Sequence, residues 1–340
     1  MEKRVSYGKE KLIIETRIGE IKKKVFAVVL AFILALCLFS VFIPADTWKY
    51  YVALPEVKKR AAGELRMHFI DVGQGDATLI ELPDGKTMLV DGGNGSDKTA
   101  TTILRYCNAL KIKRIDYLLL THADSDHCGG LDTIVRYKKI GRAFLPKVSE
   151  TVNAEFAEFY AALQEKDCPM EYASRDIKLY SSNEDYPFNL SFLYPYTIET
   201  EELVKTETES NLLSAIFWLD YFGVSALFTG DAPFAIEEKL MRDSDFGFFN
   251  PRDVELGSTE ILKVAHHGSK YSTSTEFLKY LGVQVGVISC SEYNLYNHPS
   301  SEVLERLQTE NVKEYITYRN GHVMITVTPD GEYKVETMKS

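Results

Sequence analysis

The chain has 340 residues, 39 Lys and Arg against 49 Asp and Glu, a formal net charge of −10, and 45% hydrophobic residues. That composition excludes a disordered or collagen-like chain and fits a folded protein with ample core. The acidity argues against a general nucleic-acid binder, whose footprint is basic.

The charge is unevenly spread. Residues 1–24 carry eight basic and four acidic side chains, a net +4, and Val25–Ile43 (VFAVVLAFILALCLFSVFI) carries none. The total of −10 therefore leaves −14 on residues 44–340. Of the 19 residues in Val25–Ile43, 18 are apolar, with Ser40 the exception. At about 1.5 Å per residue this stretch spans one bilayer core. Lys22, Lys23 and Lys24 abut its start, and Trp48, Tyr50 and Tyr51 follow its end. Basic residues inside and interfacial aromatics outside are the flanks of a membrane span. The expectation is a single-pass cell-membrane anchor with a cytoplasmic N-terminus and an extracytoplasmic remainder. A cleaved signal peptide has a shorter apolar region and a small-residue cleavage site. A lipoprotein reading of Cys37 fails because Leu36 precedes it and apolar residues continue past it. A buried core helix would be amphipathic.

Residues 44–64 read as a polar linker. Strands are expected at Leu65–Val72, Ala77–Leu82 and Thr87–Val90, the last two joined by a hairpin at Asp84-Gly85. Helices follow at Thr99–Leu110 and Leu131–Tyr137 around a buried strand at Ile115–Thr121. Residues 140–210 are acidic and Tyr-rich, and read as helical insertions and loops. Further strands are expected at Ala215–Tyr221, Val224–Thr229, Ile261–Ala265 and Val283–Ser289, then a Ser-capped helix at Ser301–Glu310. Glu314–Tyr318 and Val323–Val327 flank Asn320-Gly321 and read as another hairpin. Strands interleaved with helices make this an α/β protein with one domain over 65–337. The five cysteines have no spacing that marks a disulfide framework or a zinc ribbon.

The strongest chemical signal is Thr121-His122-Ala123-Asp124-Ser125-Asp126-His127-Cys128-Gly129-Gly130, two His and two Asp directly behind a buried strand. Strand ends are where α/β folds place their sites. Imidazoles and carboxylates at alternate positions aim several donors at one point, and a divalent cation offsets the repulsion between the acids. Two more strands end in chemistry: Val224–Thr229 in Gly230-Asp231, and Ile261–Ala265 in His266-His267-Gly268-Ser269. His298 precedes Pro299 and a capped helix, while His68 and His322 read as structural. No phosphate-loop, dinucleotide-loop or GxSxG motif is present.

These motifs, with Phe69–Asp76 (FIDVGQGD), Val90-Asp91-Gly92-Gly93 and Ser210–Ser214 (SNLLS), resemble the metallo-β-lactamase superfamily. They are most similar to the extracytoplasmic hydrolase domain of ComEC-type competence proteins, over about residues 65–337. The resemblance implies an αββα sandwich of two mixed sheets with outer helices, and one or two divalent metal ions, zinc or manganese. It places His122, Asp124 and Asp231 at a first metal position. Asp126, His127, Asp231 and one of the adjacent histidines, with His266 favoured, fall at a second. Asp124 stands where the family usually has a His, and no His lies between residues 128 and 230, so the first position is expected to be oxygen-rich and weaker.

The implied reaction is hydrolysis by metal-activated water, with Asp126, Asp231, His267 and His298 as catalytic candidates. Gln74, Asn211, Ser214 and Ser269 are weaker candidates for the rim. A phosphodiesterase or nuclease linked to DNA uptake leads, and whether a separate channel protein is its partner stays open. The alternatives are a cell-surface phosphorylcholine or teichoic-acid esterase and a non-catalytic membrane-tethered binding module.

Overall fold

The computed structural model describes residues 2–42, 45–175, 177–196, 204–247 and 254–339. Ile43, the end of the expected span, and residues 197–203 of the Tyr-rich middle lie outside the described residues. The chain forms two compact units, Met1–Ala53 and Leu54–Ser340.

The first unit is a 41-residue helix, Glu2–Phe42, followed by a short 3-10 turn, Ala45–Tyr50. Its Arg17–Ser40 stretch is long and apolar enough to cross a membrane, and none of it is buried. The one polar side chain of the expected span satisfies itself: Ser40 Oγ donates to Leu36 O at 2.9 Å, as a hydroxyl in an apolar medium must.

In the second unit, fifteen strands among the described residues make two mixed sheets. The first strands are β1 (Leu65–Phe69), β2 (Thr78–Glu81), β3 (Thr87–Val90), β4 (Arg114–Leu119), β5 (Lys139–Leu145) and β6 (Met170–Tyr172). Next come β7 (Lys178–Tyr180), β8 (Phe188–Tyr194), β9 (Ile216–Tyr221), β10 (Val224–Phe228) and β11 (Ile261–Lys263). The last are β12 (Val285–Ile288), β13 (Lys313–Ile316), β14 (Val323–Val327) and β15 (Tyr333–Thr337). One sheet has the order β15-β14-β1-β2-β3-β4-β5-β6 and the other β13-β12-β11-β10-β9-β8-β7. The β3-to-β6 and β10-to-β13 halves are parallel, and the remainder is antiparallel.

Alternation explains the sandwich. On β1, Leu65, Met67 and Phe69 face the other sheet and join one core with Phe192, Phe217 and Phe228. Phe69 stacks on Phe228 at 5.9 Å and Phe217 on Phe228 at 4.4 Å, so aromatic rings tie the two sheets together. The alternate β1 residues turn to the other face. There buried His68 sits between Tyr106 Oη of the helix Asp97–Ala109 and Glu81, each at 3.0 Å. A second core joins β11 and β12 to the helices Phe234–Asp245, Thr275–Leu281 and Ser301–Thr309. The expected sandwich of mixed sheets with helices is therefore present.

Two local expectations are corrected. Residues 139–194 contain β5 to β8 as well as the helix Ala154–Glu165, so this stretch supplies an edge to each sheet. The 314–327 segment is not a hairpin. β13 pairs with β12 in one sheet, and β14 pairs with β1 and β15 in the other. Asn320 Oδ1 accepts the Ile316 N–H at 2.9 Å and closes the helical turn Thr317–Asn320, which carries the chain from sheet to sheet.

One strand carboxylate makes stability depend on pH. Asp220 of β9 lies opposite Ser225, and its pKa is pushed up to about 6, first by burial and then by the Glu260 charge. The folded state thus holds this proton more tightly than the unfolded chain does. The contribution is complete below about pH 4 and is lost as pH rises through 6. Asp220→Asn should stabilise the protein at pH 8 by about 1–2 kcal/mol, after allowing for solvent screening. It should leave stability near pH 4 unchanged. Thermal unfolding at the two pH values checks this; an equal gap at both would exclude it.

Candidate metal centre

The site lies where strand ends meet. β4 runs into Thr121-His122, β10 into Gly230-Asp231, and β11 into His266-His267, while the short helical turn Ser125–Cys128 carries Asp126 and His127. The ends are stitched together: Ala215 donates its N–H to Thr121 O (2.9 Å) and His266 to Gly230 O (3.1 Å). Close approach of the loops behind β3 and β4 depends on glycine, because a Cβ at Gly129 would sit 2.1 Å from the Gly95 nitrogen.

The buried Asp231 carboxylate is the hub. Its Oδ2 lies 3.7 Å from His122 Nε2, 3.7 Å from His266 Nε2 and 3.6 Å from His267 Nε2, and its Oδ1 lies 3.3 Å from His127 Nε2. Four imidazoles therefore face one carboxylate. Asp124 Oδ2 is 3.7 Å from His122 Nε2 on one side. On the other side Asp126 Oδ2 is 3.2 Å from His267 Nε2, and its Oδ1 is 4.0 Å from His127 Nε2. Around Asp231, Asp124 thus lies by His122, and Asp126 by His127 and His267, while the His122 and His127 ring centroids are 4.0 Å apart.

His267 lies by both Asp231 and Asp126, and His266 lies by Asp231. Both take positive φ, 51° and 53°, in the left-handed region that β-carbons disfavour. His267 is buried and His266 is half-buried.

Hydrogen bonds hold the rings. The Asp91 carboxylate can only accept, so His127 donates Nδ1–H to Asp91 Oδ2 at 2.8 Å. His267 likewise donates Nδ1–H to Ser289 O at 2.9 Å. Thr121 Oγ1 donates to Asp91 Oδ2 (2.8 Å) and accepts from His122 Nδ1–H (3.0 Å). Each bond fixes a tautomer and turns Nε2 toward Asp231, as the supporting shell of a metal ligand does. Asp91 itself has φ 60° and receives the Thr121 N–H at 2.8 Å.

Electrostatics follow from the crowding. Burial alone would lower the His127 pKa, but the carboxylates of Asp231 and Asp91 outweigh it and hold it well above the ordinary imidazole value. Burial opposes the same shift at His267, which Asp231, Asp126 and Asp76 raise to about 9. Burial would raise the Asp126 pKa, but the His267 hydrogen bond and charge hold it well below the carboxylate range. His298 is pushed down to about 4 by burial and by the charges of His266 and His267.

The donors fit a divalent ion. Buried His122 Nε2 and Asp231 Oδ1 have no hydrogen-bond partner, and two Nε2 atoms, of His127 and His267, face each other at 3.3 Å. Asp76, His127, Asp231 and His267 offer ligand atoms that all lie within 4.8 Å of one another, all buried. Mixed imidazole and carboxylate donors suit zinc, manganese or iron.

The other named residues are placed as follows. Gln74 Nε2 donates to Asp126 Oδ2 at 3.4 Å. Buried Ser214 Oγ accepts the Asp231 N–H at 3.1 Å and so steadies the hub. Asn211, Ser269 and His298 line a 660 Å³ cleft that opens from Asp124 and His266. His68 and His322 lie away from it, and His322 Nδ1 accepts the Asp71 N–H at 2.8 Å.

Sequence reasoning assigned no role to Asp76, Asp91 or Lys263. Lys263 Nζ pairs with Asp76 Oδ2 at 2.7 Å, and both are buried. Asp91 follows β3 and adjoins glycine, the same signal that marks Asp231, whereas Asp76 follows Gly75 and precedes β2.

The family model of the metallo-beta-lactamase superfamily matches residues 70–292. The chain is 29% identical over 278 residues to ComE operon protein 3 of Bacillus subtilis, covering 77% of this chain and 32% of that protein. It is 29% identical over 264 residues to Recombination protein 2 of Haemophilus influenzae, covering 77% and 29%. The chain thus spans about a third of the length of these relatives. Among solved structures, CmlA, a diiron beta-hydroxylase from Streptomyces venezuelae, has a TM-score of 0.46 at 14% identity, covering 76% of this chain and 53% of that one.

Proposed function

The chain belongs to the metallo-beta-lactamase superfamily, in the branch of the competence proteins, and from that premise we propose that it is a membrane-anchored phosphodiesterase acting on nucleic acid. The observation that carries this reading is the Asp231 carboxylate facing four imidazoles, with Asp124 and Asp126 beside them. His122, Asp124, Asp231 and His266 would hold one ion, and Asp126, His127, Asp231 and His267 another. The second set is more deeply buried and has Asp76 beside it, so it would bind more tightly. The Lys22–Lys24 run before the span supports a cytoplasmic N-terminus and an extracytoplasmic hydrolase unit.

A divalent cation held by these residues would supply Lewis acidity toward a phosphoryl oxygen and would make water a stronger nucleophile near neutral pH. The chain's own groups do the positioning. Asp126, kept ionised, accepts a hydrogen bond from the attacking water and aims it. Asp91 and Ser289 keep the His127 and His267 rings turned inward, so the site is preorganised before substrate arrives. His298, whose ring centroid is 5.4 Å from that of His266, stands on the cleft wall to donate a hydrogen bond to the leaving oxygen.

A choline ester is the competing substrate, because Tyr271 and Tyr296 line the same cleft and aromatic faces attract quaternary ammonium. Lys270 beside them favours an anion instead. The full chain in detergent, with manganese or zinc, should hydrolyse bis(p-nitrophenyl) phosphate and single-stranded DNA. Turnover confined to p-nitrophenylphosphorylcholine would reassign the substrate, and turnover of none would make this a binding module.

A further inference from the structure

Resting on the phosphodiesterase reading, we infer that the 291–298 loop is a stacking platform for unpaired bases of a single-stranded nucleic acid whose phosphates lie in the metal cleft. Tyr293, Leu295 and Tyr296 are 87%, 97% and 66% exposed, three large apolar side chains on one short loop. Their exposure is built in. Asn294 Oδ1 accepts the N–H groups of Tyr296 (3.1 Å) and His298 (2.9 Å), and its Nδ2 donates to Ser291 O (3.0 Å) and His298 O (2.6 Å). Ser291 Oγ donates to Tyr293 O at 2.9 Å. One side chain thus ties down the whole loop and leaves its apolar tips in water, an arrangement that marks a binding surface.

The loop's position selects the occupant. Tyr296, Asn297 and His298 wall the metal cleft, while Tyr293 and Leu295 wall an adjoining cavity that shares Asn297 and His298 with it. The platform is therefore continuous with the site. Tyr296 already lies face to face with the His298 ring, at 5.7 Å and 27°. Across the cleft Tyr271 is 64% exposed, with Lys270 Nζ 5.1 Å from its ring centroid, which offers a second stacking face beside a cation for phosphate. The acids beside these faces are Asp124 and Glu302 in the cleft, the latter engaged by Ser301 Oγ at 3.2 Å, and Glu292 of the loop in the adjoining cavity. Aromatic faces with adjacent cations are how sequence-tolerant single-strand binding is built. Paired bases in a duplex hide those faces, so the platform discriminates for single strands. It also reconciles an acidic domain with a polyanionic substrate, since stacking and bound cations replace a broad basic surface.

The test uses the full chain in detergent with manganese. Fluorescence anisotropy measures its binding to a labelled thymidine oligonucleotide of about 12 residues, within single-strand site sizes, with phosphorothioate links that resist cleavage. Tyr293→Ala with Tyr296→Ala should weaken binding by about tenfold or more, and the matching Phe variants should retain it. Equal binding by wild type and the double Ala variant overturns the platform. So does equal loss in the Phe variants, or absence of wild-type binding. Wild-type binding with no turnover of bis(p-nitrophenyl) phosphate would overturn the hydrolase reading alone.

Discussion

Asp231→Ala should abolish phosphodiester turnover, by about 10³-fold or more, while the protein stays folded. Asp231 is the carboxylate within 3.7 Å of the Nε2 atoms of His122, His127, His266 and His267. Its removal takes a ligand from both positions together and leaves the imidazoles facing one another. The fold should survive because the hub is placed by neighbours that remain: Ser214 Oγ holds the 231 N–H, and Asp91 still pairs with His127. Asp231→Asn, which keeps the shape and loses the charge, should be inactive too. Steady-state kinetics with bound-metal analysis and circular dichroism checks both. A folded Asp231→Ala variant with more than a tenth of wild-type activity would remove the bridging role.

Gly75→Ala should be strongly damaging although it lies outside the ligand set. Gly75 has φ +117°, and a Cβ there would sit 2.2 Å from the backbone oxygen of Asp126. That oxygen receives the Asp76 N–H at 3.2 Å, and Gln74 reaches the Asp126 carboxylate. The turn around Gly75 therefore sets where Asp126 stands, and no flexible side chain can yield to make room. Backbone strain together with overpacking should cost about 2–5 kcal/mol. A shift of about 1 Å at Asp126 should cost roughly 100-fold in turnover. Chemical denaturation and kcat measured on one preparation check the pair. An unchanged midpoint with full activity would show that the loop yields freely.

Much of this arrangement is legible in the sequence because its chemistry sits at strand ends. An apolar run followed at once by His122, Asp231 or His266 announces a donor at a sheet edge. The approach of both His266 and His267 to Asp231 is not legible. It arises from two consecutive residues with φ above +50°, which propensity does not foresee, and strand-end logic favours the nearer residue. Asp76 and Asp91 were quoted in motifs yet given no role, because a carboxylate that buttresses looks in sequence like one that caps a turn. The 139–194 strands are hidden for another reason. Outer strands such as β6 and β7 are short and largely exposed, so they lack the apolar alternation that marks β1. Asn320-Gly321 misled because its dipeptide favours a hairpin locally, while the side chain of Asn320 closes a helical turn between two sheets. The aromatic loop at 291–298 left no periodic trace, since its order comes from the side chain of Asn294.

The measurement that bears most directly on the account is turnover of bis(p-nitrophenyl) phosphate by the full chain, first stripped of metal by chelation and then titrated with manganese or zinc. The account predicts no turnover in the stripped protein, recovery as cation is returned, and no recovery in Asp231→Ala. Undiminished turnover by the stripped protein would contradict it.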